Sequence, residues 1–220
     1  AIKFARKFTG KKGMVAMNGS YHGKSLGALS LTFNPKYRKS FQPLVDKVSF
    51  SPYGDINELQ NTIDDDTAFI ILEPIQGESG IHVPPDGFLQ KVRKLCDENE
   101  ILLIFDEIQS GLGRTGRMWA SEHWETSPDI MCLAKGIAGG VPMGVTLVKP
   151  DILSVMKKGE HSSTFGGNPL SCSAGTATIQ ALTQDGLINN AEKMGQKFRQ
   201  GLDQLKSKHS IIREVRGKGL

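Results

Sequence analysis

Two side chains could do chemistry together, Asp106 and Lys135. Asp106 ends the apolar run Ile101-Leu-Leu-Ile-Phe105 and leads into Glu107-Ile108-Gln109. An acid placed directly after buried apolar residues is partly desolvated and needs a partner to stay ionised. Taken alone, it reads as readily as a helix cap or as one half of a salt bridge with an arginine. Lys135 follows Met131-Cys-Leu-Ala134 and opens a turn with Gly136 and Gly139-Gly140. Such a lysine can be a surface residue whose stem lies on apolar neighbours. It can also be an amine desolvated enough to attack an aldehyde. The pair is more informative than either member. A pyridoxal phosphate site needs one lysine for the aldehyde and one carboxylate to hold the pyridine nitrogen protonated. Lys135 comes about one strand–helix–strand step after Asp106, so both can face one cleft.

The elements that must position them alternate between β-branched runs and helical patterns. Strands are predicted over Met14 to Met17, Val45 to Phe50, Ala68 to Glu73, Ile101 to Asp106, Asp129 to Leu133 and Val145 to Val148. The runs Ala68 to Leu72 and Ile101 to Phe105 are apolar without alternation, as parallel strands covered on both faces should be. Phe88, Val92 and Leu95 recur at helical spacing within Gly87 to Asn99, with Asp86 as the expected N-cap. Long helices are expected after Pro169 and from about Leu187 to Lys208. This is an α/β chain with a mostly parallel sheet and helices on both faces. Ligands of such sheets bind at the carboxyl ends of the strands, where Asp106 and Lys135 fall.

Composition removes several function classes. There are 27 basic and 23 acidic residues, a net charge of +4, and the basic ones are scattered, which does not suggest nucleic acid. No apolar run approaches the roughly 18–20 residues of a membrane span. Cys96, Cys132 and Cys172 form no CxxC pair and read as buried thiols of a reducing cytoplasm, and no zinc-ligand spacing occurs. Gly23-Lys-Ser25 resembles the end of a P-loop, but Asn18 stands where the first glycine is required. Gly111-Leu-Gly-Arg-Thr-Gly116 matches GxGxxG, so an NAD-binding Rossmann domain is the reading from a different class. It would require that loop to open a helix at a strand end. The amphipathic pattern Ile2, Ala5, Phe8 has no cap before it, and Arg216-Gly-Lys-Gly-Leu220 has no natural stop. Both ends are therefore expected to be cuts in a longer protein.

The stretch from Tyr21 to Leu182 resembles the class III (subgroup II) pyridoxal-phosphate aminotransferases of fold type I. The motifs are Ser20-Tyr-His-Gly23, Glu73-Pro-Ile-Gln-Gly-Glu78, Phe105-Asp-Glu-Ile-Gln109 with Gly113-Arg-Thr-Gly116, Ala134-Lys-Gly136, and Ser163-Thr-Phe-Gly-Gly-Asn-Pro169. Within that family the chain looks most like the acetylornithine and ornithine aminotransferases and the archaeal transaminases of carrier-protein-linked lysine or ornithine precursors. The resemblance implies the fold type I large domain over residues 1–208, its N-terminal part missing, and the start of a small C-terminal domain over 209–220. It also implies a cytoplasmic homodimer.

The resemblance further implies roles for individual residues. Lys135 becomes the Schiff-base lysine and proton shuttle, and Asp106 the partner of the pyridinium nitrogen. Gln109 hydrogen-bonds the ring's 3-oxygen, Tyr21 stacks on one ring face and Ile108 packs on the other, with His22 beside them. Read singly, Tyr21 and Ile108 are equally good core residues. Thr164 belongs to a loop that reaches the partner subunit's cofactor phosphate. The remaining phosphate contacts would precede Ala1, so residues 1–220 alone are expected to bind the cofactor weakly. Glu78 resembles the glutamate that masks an arginine in a dual-specificity switch, the arginine lying beyond Leu220. As a residue it could also be a solvated loop acid. Lys24 stands where many acetylornithine enzymes carry arginine. Lysine offers a point charge instead of a bidentate fork, which leans toward the carrier-linked branch and an acidic carrier protein. The implied reaction moves the terminal amino group of an ornithine-type donor to 2-oxoglutarate, giving a semialdehyde and glutamate in arginine or lysine biosynthesis. A 4-aminobutyrate-type aminotransferase is the alternative within the family.

Overall fold

A computed structural model describes all 220 residues. The chain opens with helix α1 (Ile2–Thr9), strand β1 (Gly13–Met17), short helices α2 (Leu26–Ser30) and α3 (Pro35–Arg38), and strand β2 (Val48–Ser51). Helix α4 (Ile56–Thr62), strand β3 (Thr67–Leu72), helix α5 (Phe88–Glu98) and strand β4 (Leu102–Asp106) follow. Then come β5 (Ile130–Leu133), β6 (Val145–Val148), α6 (Pro150–Ser154), α7 (Pro169–Gln184) and α8 (Leu187–Lys208). The six strands form one sheet in the order β2-β1-β3-β4-β5-β6. All neighbours are parallel except β5 and β6, which are antiparallel.

The unbroken apolar runs exist because both sheet faces are covered. In β3 and β4, Ile70, Leu72, Leu103 and Phe105 face one core with Phe88, Leu89 and Val92 of α5. Phe69, Ile71, Leu102 and Ile104 face the other, with Ala5 of α1 and Ile152 of α6. Period-two alternation thus sends each strand's side chains into two separate dry layers. A smaller cluster of Met131, Leu133, Ile137 and Ala138 lies at the β5 end, against Ala174 of α7. The chain leaves β1 for the β2 edge and returns to β3 on the other side. This makes a topological switch point, where a crevice opens at the carboxyl ends.

Several sequence expectations shift for local reasons. Strand β2 starts at Val48 and not Val45, because Lys47 takes φ +58 and interrupts the run. Asp86 does not cap α5. Gly87 holds the N-cap position at φ +76, and the amide of Phe88 is satisfied by the Pro85 carbonyl at 3.1 Å. The passage from β4 to β5 contains no α-helix; it runs through turns and a 3-10 helix over Ala120–Trp124. The Rossmann reading fails here. Residues 111–116 close on themselves, with the Gly113 amide on Met118 O and the Gly116 amide on Gly113 O, and open no helix. Their glycines serve close packing instead: a Cβ at Gly116 would run into Glu192 of α8. Helix α8 begins at Leu187 and ends at Lys208 as the pattern predicts, and Asn168 caps α7 through Ser171 N at 2.9 Å.

Candidate active site

Four neighbouring strands deliver their carboxyl ends to one place. After β1 the chain turns through Tyr21 and His22, after β3 through Glu73 and Gly77, at the end of β4 lies Asp106, and after β5 comes Lys135. Register brings the last two together, since Asp106 pairs with Cys132 three residues before Lys135.

Asp106 is buried at 5% exposure and held from two sides. Its Oδ2 accepts from His22 Nδ1 at 2.8 Å, and its Oδ1 accepts from the Ile108 amide at 3.0 Å. A carboxylate only accepts, so Nδ1 must carry the proton. The imidazole is seated in turn by its own amide, which donates to Thr32 Oγ1 at 3.0 Å. Its second nitrogen, Nε2, is buried without a hydrogen-bond partner. A buried polar atom left unpaired costs about 1–3 kcal/mol. Neither of the ordinary readings of Asp106 holds: it caps no helix, and no arginine reaches it.

Glu73 ties the β1 and β3 ends together. Its Oε1 accepts from the Tyr21 amide and its Oε2 from the Gly77 amide, both at 3.0 Å. Burial pushes its carboxyl above the usual range, against the pull of those hydrogen bonds. Glu107 faces away from the cleft and is wholly buried, accepting from Ser110 Oγ and the amides of Ala120 and Ser121. Burial raises its carboxyl as well. Glu107 organises the β4–β5 connection in place of a helix. Both acids sit inside the quoted motifs but received no role from sequence. The signal was the same as for Asp106, a carboxylate at the end of an apolar run.

Lys135 contrasts with this wiring. It is exposed, adopts φ +44, and its amine hydrogen-bonds Gln109 Oε1. Left-handed backbone at a non-glycine residue is strained, and such strain collects at functional positions. Gln109 is packed against bare backbone, since a Cβ on Gly77 would overlap its amide. Cys132, next to Asp106, has its thiol pushed up to about 11 by burial, so it stays protonated and does not compete with the lysine as a nucleophile.

The other expected residues are placed unevenly. Tyr21 is half-buried and meets Tyr37 edge to face at 5.6 Å, and Ile108 is half-buried beside Asp106. Lys24 is exposed with its amine 5.6 Å from the Tyr37 ring centre, and it forms no salt bridge. Glu78 is exposed and has no hydrogen-bond partner. Thr164 lies in an exposed turn before α7, equally without one. The structure therefore brings Tyr21, His22, Ile108, Asp106, Gln109 and Lys135 together and leaves Glu78, Lys24 and Thr164 at the rim or on the outer surface. A cleft of about 570 Å³ touches this group only through Gln109, with Gly77 beside it, and extends toward Arg114, Glu192 and the segment from Val215 to Leu220.

The donor set fits a pyridine ring cofactor. Asp106 retains lone pairs beyond the two it uses, Lys135 supplies an amine whose side-chain partner is Gln109, and the second His22 nitrogen is buried without a partner. The Aminotransferase class-III family matches residues 1–220. The chain belongs to that family. It is 48% identical to the acetylornithine aminotransferase of Methanopyrus kandleri, over all of this chain and 56% of that one. Among solved structures, the ornithine aminotransferase from Toxoplasma gondii superposes with a TM-score of 0.96 at 36% identity, over 99% of this chain and 54% of that one. A PLP-bound amine transaminase from an uncultivated Pseudomonas species superposes at 0.94 with 31% identity, over 100% of this chain and 57% of that one. The family's fold type I sheet and cofactor class thus apply to this chain. The chain spans a little over half the length of these relatives.

Proposed function

We propose that this chain is part of an aminotransferase that moves the terminal amino group of an ornithine-type donor to 2-oxoglutarate. The donor would be N-acetylornithine, ornithine, or a carrier-linked lysine or ornithine precursor, and the products a semialdehyde and glutamate. The names of the similar proteins support that donor class, and the reaction would then serve arginine or lysine biosynthesis. The observation that carries the reading is local: a buried carboxylate locked by His22 lies one strand away from an amine tethered only by Gln109.

When bound, pyridoxal phosphate supplies an aldehyde carbon that takes up nitrogen and a protonated ring that draws electrons from the reacting carbon. Asp106, held in place by His22 and the Ile108 amide, would hold the ring nitrogen in its protonated form. Lys135 Nζ would take the proton from the carbon that bears the donor's amine and return it one position away. Its single side-chain partner leaves it free to move between the two positions. Tyr21 and Ile108 would flank the ring, and Gln109 would hydrogen-bond the ring oxygen. Glu78 and Lys24, at the rim, address the donor's charged groups, Glu78 together with an arginine from outside residues 1–220.

Residues 1–208 would form the cofactor domain, with 209–220 leading into a second one. A homodimer is supported by the surface around α7: Phe165 and Leu170 are 80% and 70% exposed, and only Ser171 and Gly175 of that helix are buried. Thr164, beside them, would reach the partner's cofactor phosphate. The three unpaired cysteines support a reducing, cytoplasmic setting. No helix is long and apolar enough to cross a membrane. An acidic carrier protein is compatible with the net charge of +4.

The test uses the whole protein loaded with cofactor and mixed with donor in the absence of acceptor. N-acetylornithine, ornithine or a carrier-linked donor should bleach the cofactor's visible absorbance at least about tenfold faster than 4-aminobutyrate. Equal or faster bleaching by 4-aminobutyrate would replace this donor assignment with the 4-aminobutyrate type.

A further inference from the structure

The turn that carries Glu78 is strained and tied to a distant residue. Glu78 sits between Gly77, whose bare backbone packs against Gln109, and Ser79. The turn closes through Gly80 N and Ile81 N, both donating to Gly77 O at 3.1 and 3.2 Å, and through the paired backbones of Gln76 and His82. Ile81 takes φ +56 there, a conformation that a β-branched residue adopts only when its surroundings hold it. Inside the turn nothing donates to the Gly80 carbonyl. Its partner is Arg216, whose Nε donates at 2.7 Å from 136 residues away. Arg216 is oriented by an ion pair with Glu214, and Gly217 packs against the Ile81 side chain. The segment bearing Arg216 is itself anchored, since Leu220 N donates to Arg114 O at 2.9 Å.

We propose that Arg216 is a positioning residue for donor recognition: its hydrogen bond to Gly80 holds the strained Gly77–Ile81 turn, and Glu78 with it, at the rim where Gly77 packs against Gln109. The chemical reason is the fork of the guanidinium. One edge takes the carboxylate of Glu214 while Nε reaches the carbonyl, and a lysine ammonium cannot reproduce both in one plane. Glu73 secures the Gly77 end of the turn, whereas the Gly80–Ile81 end would relax without the hydrogen bond from Arg216. Recognition of the donor thus depends on the C-terminal segment, and a shift of that segment would move Glu78. The link to donor binding rests on the functional reading above, whereas the clamp itself does not.

Two measurements on the cofactor-loaded whole protein separate these parts. In the first, hydrogen exchange at Gly80, Ile81 and His82 is followed without substrate. Exchange should speed up roughly tenfold in Arg216→Gln and less in Arg216→Lys. Exchange within twofold of the wild type in both variants overturns the clamp, whatever the enzyme's substrate. The second is steady-state kinetics. Arg216→Gln should raise KM for the ornithine-type donor roughly five- to tenfold with kcat changed by less than about twofold, and adding Glu78→Gln should cost nothing beyond Glu78→Gln alone. Fully additive losses would overturn the route through Glu78. If the wild type accepts no ornithine-type donor, the functional reading falls, while the exchange result still decides the clamp.

Discussion

The carboxyl ends of β4 and β5 are neighbours in the sheet, and they hold their side chains in opposite ways. At β4, Asp106 is buried, its backbone is regular, and a histidine and an amide fix both of its oxygens. At β5, Lys135 is exposed, its backbone is left-handed, and one side-chain amide is its partner. A group that must keep one charge in one place benefits from fixed dipoles around it, because no reorganisation is then needed during reaction. A group that must shuttle a proton needs room and few partners. Under the proposed function, the contrast would suit a static electrostatic role for Asp106 and a mobile one for Lys135.

The strongest way to break this contrast is at the mobile end. Lys135→Ala in the whole protein should lower turnover by at least about 10⁴-fold and abolish borohydride trapping of cofactor on the chain. Trapping that persists in the variant would remove Lys135 from its role. A smaller effect is expected one step behind the static end. His22→Phe removes a donor from Asp106 and should lower turnover roughly 10- to 100-fold with borohydride trapping at Lys135 retained. Loss of trapping as well would mean that the two ends are not separable.

The smallest effect concerns support outside the cleft. Asp129 accepts from Leu103 N at 2.8 Å, Lys149 at 2.6 Å and Arg93 at 2.8 Å, linking β4, the junction between β6 and α6, and α5. Burial pushes its carboxyl up, but these hydrogen bonds outweigh it and hold it below its ordinary value of 3.8. The stability it contributes is thus complete above that value and is lost as pH falls through the lowered one. Asp129→Asn should cost roughly 2 kcal/mol at pH 7, discounted for the half-exposed Lys149, and this difference should shrink as pH falls below 3.8. A pH-independent difference measured by denaturant unfolding would show that packing, not charge, carries the contribution. Turnover at pH 7 should be unchanged, in contrast with both cleft variants.

Much of this was legible without coordinates. Continuous apolar runs at β3 and β4 announce parallel strands buried on both faces, and each ends in an acid that is buried at the carboxyl edge of the sheet. The α8 boundaries and the Gly10 stop of α1 follow from side-chain periodicity and from glycine's ease in the left-handed region, where Gly10 sits at φ +72. The errors came where a nearby carbonyl or a strained residue outcompeted a propensity. Pro85 O took the amide that Asp86 was expected to cap, and Lys47 cut short the second strand.

By itself the sequence determined the element types, the placing of Asp106 and Lys135 at strand ends, and the family, because apolar periodicity and contiguous motifs are local properties of the chain. Only the tertiary structure decided the partners. His22 meets Asp106 across 84 residues, Glu73 meets Tyr21 across 52, and Arg216 meets Gly80 across 136. Such pairs depend on strand order and register, which bring together groups that no local spacing relates. The same physics turned the GxGxxG loop from a candidate nucleotide site into a close-packed turn under α8: the glycines were visible in advance, but the helix that lies against them was not.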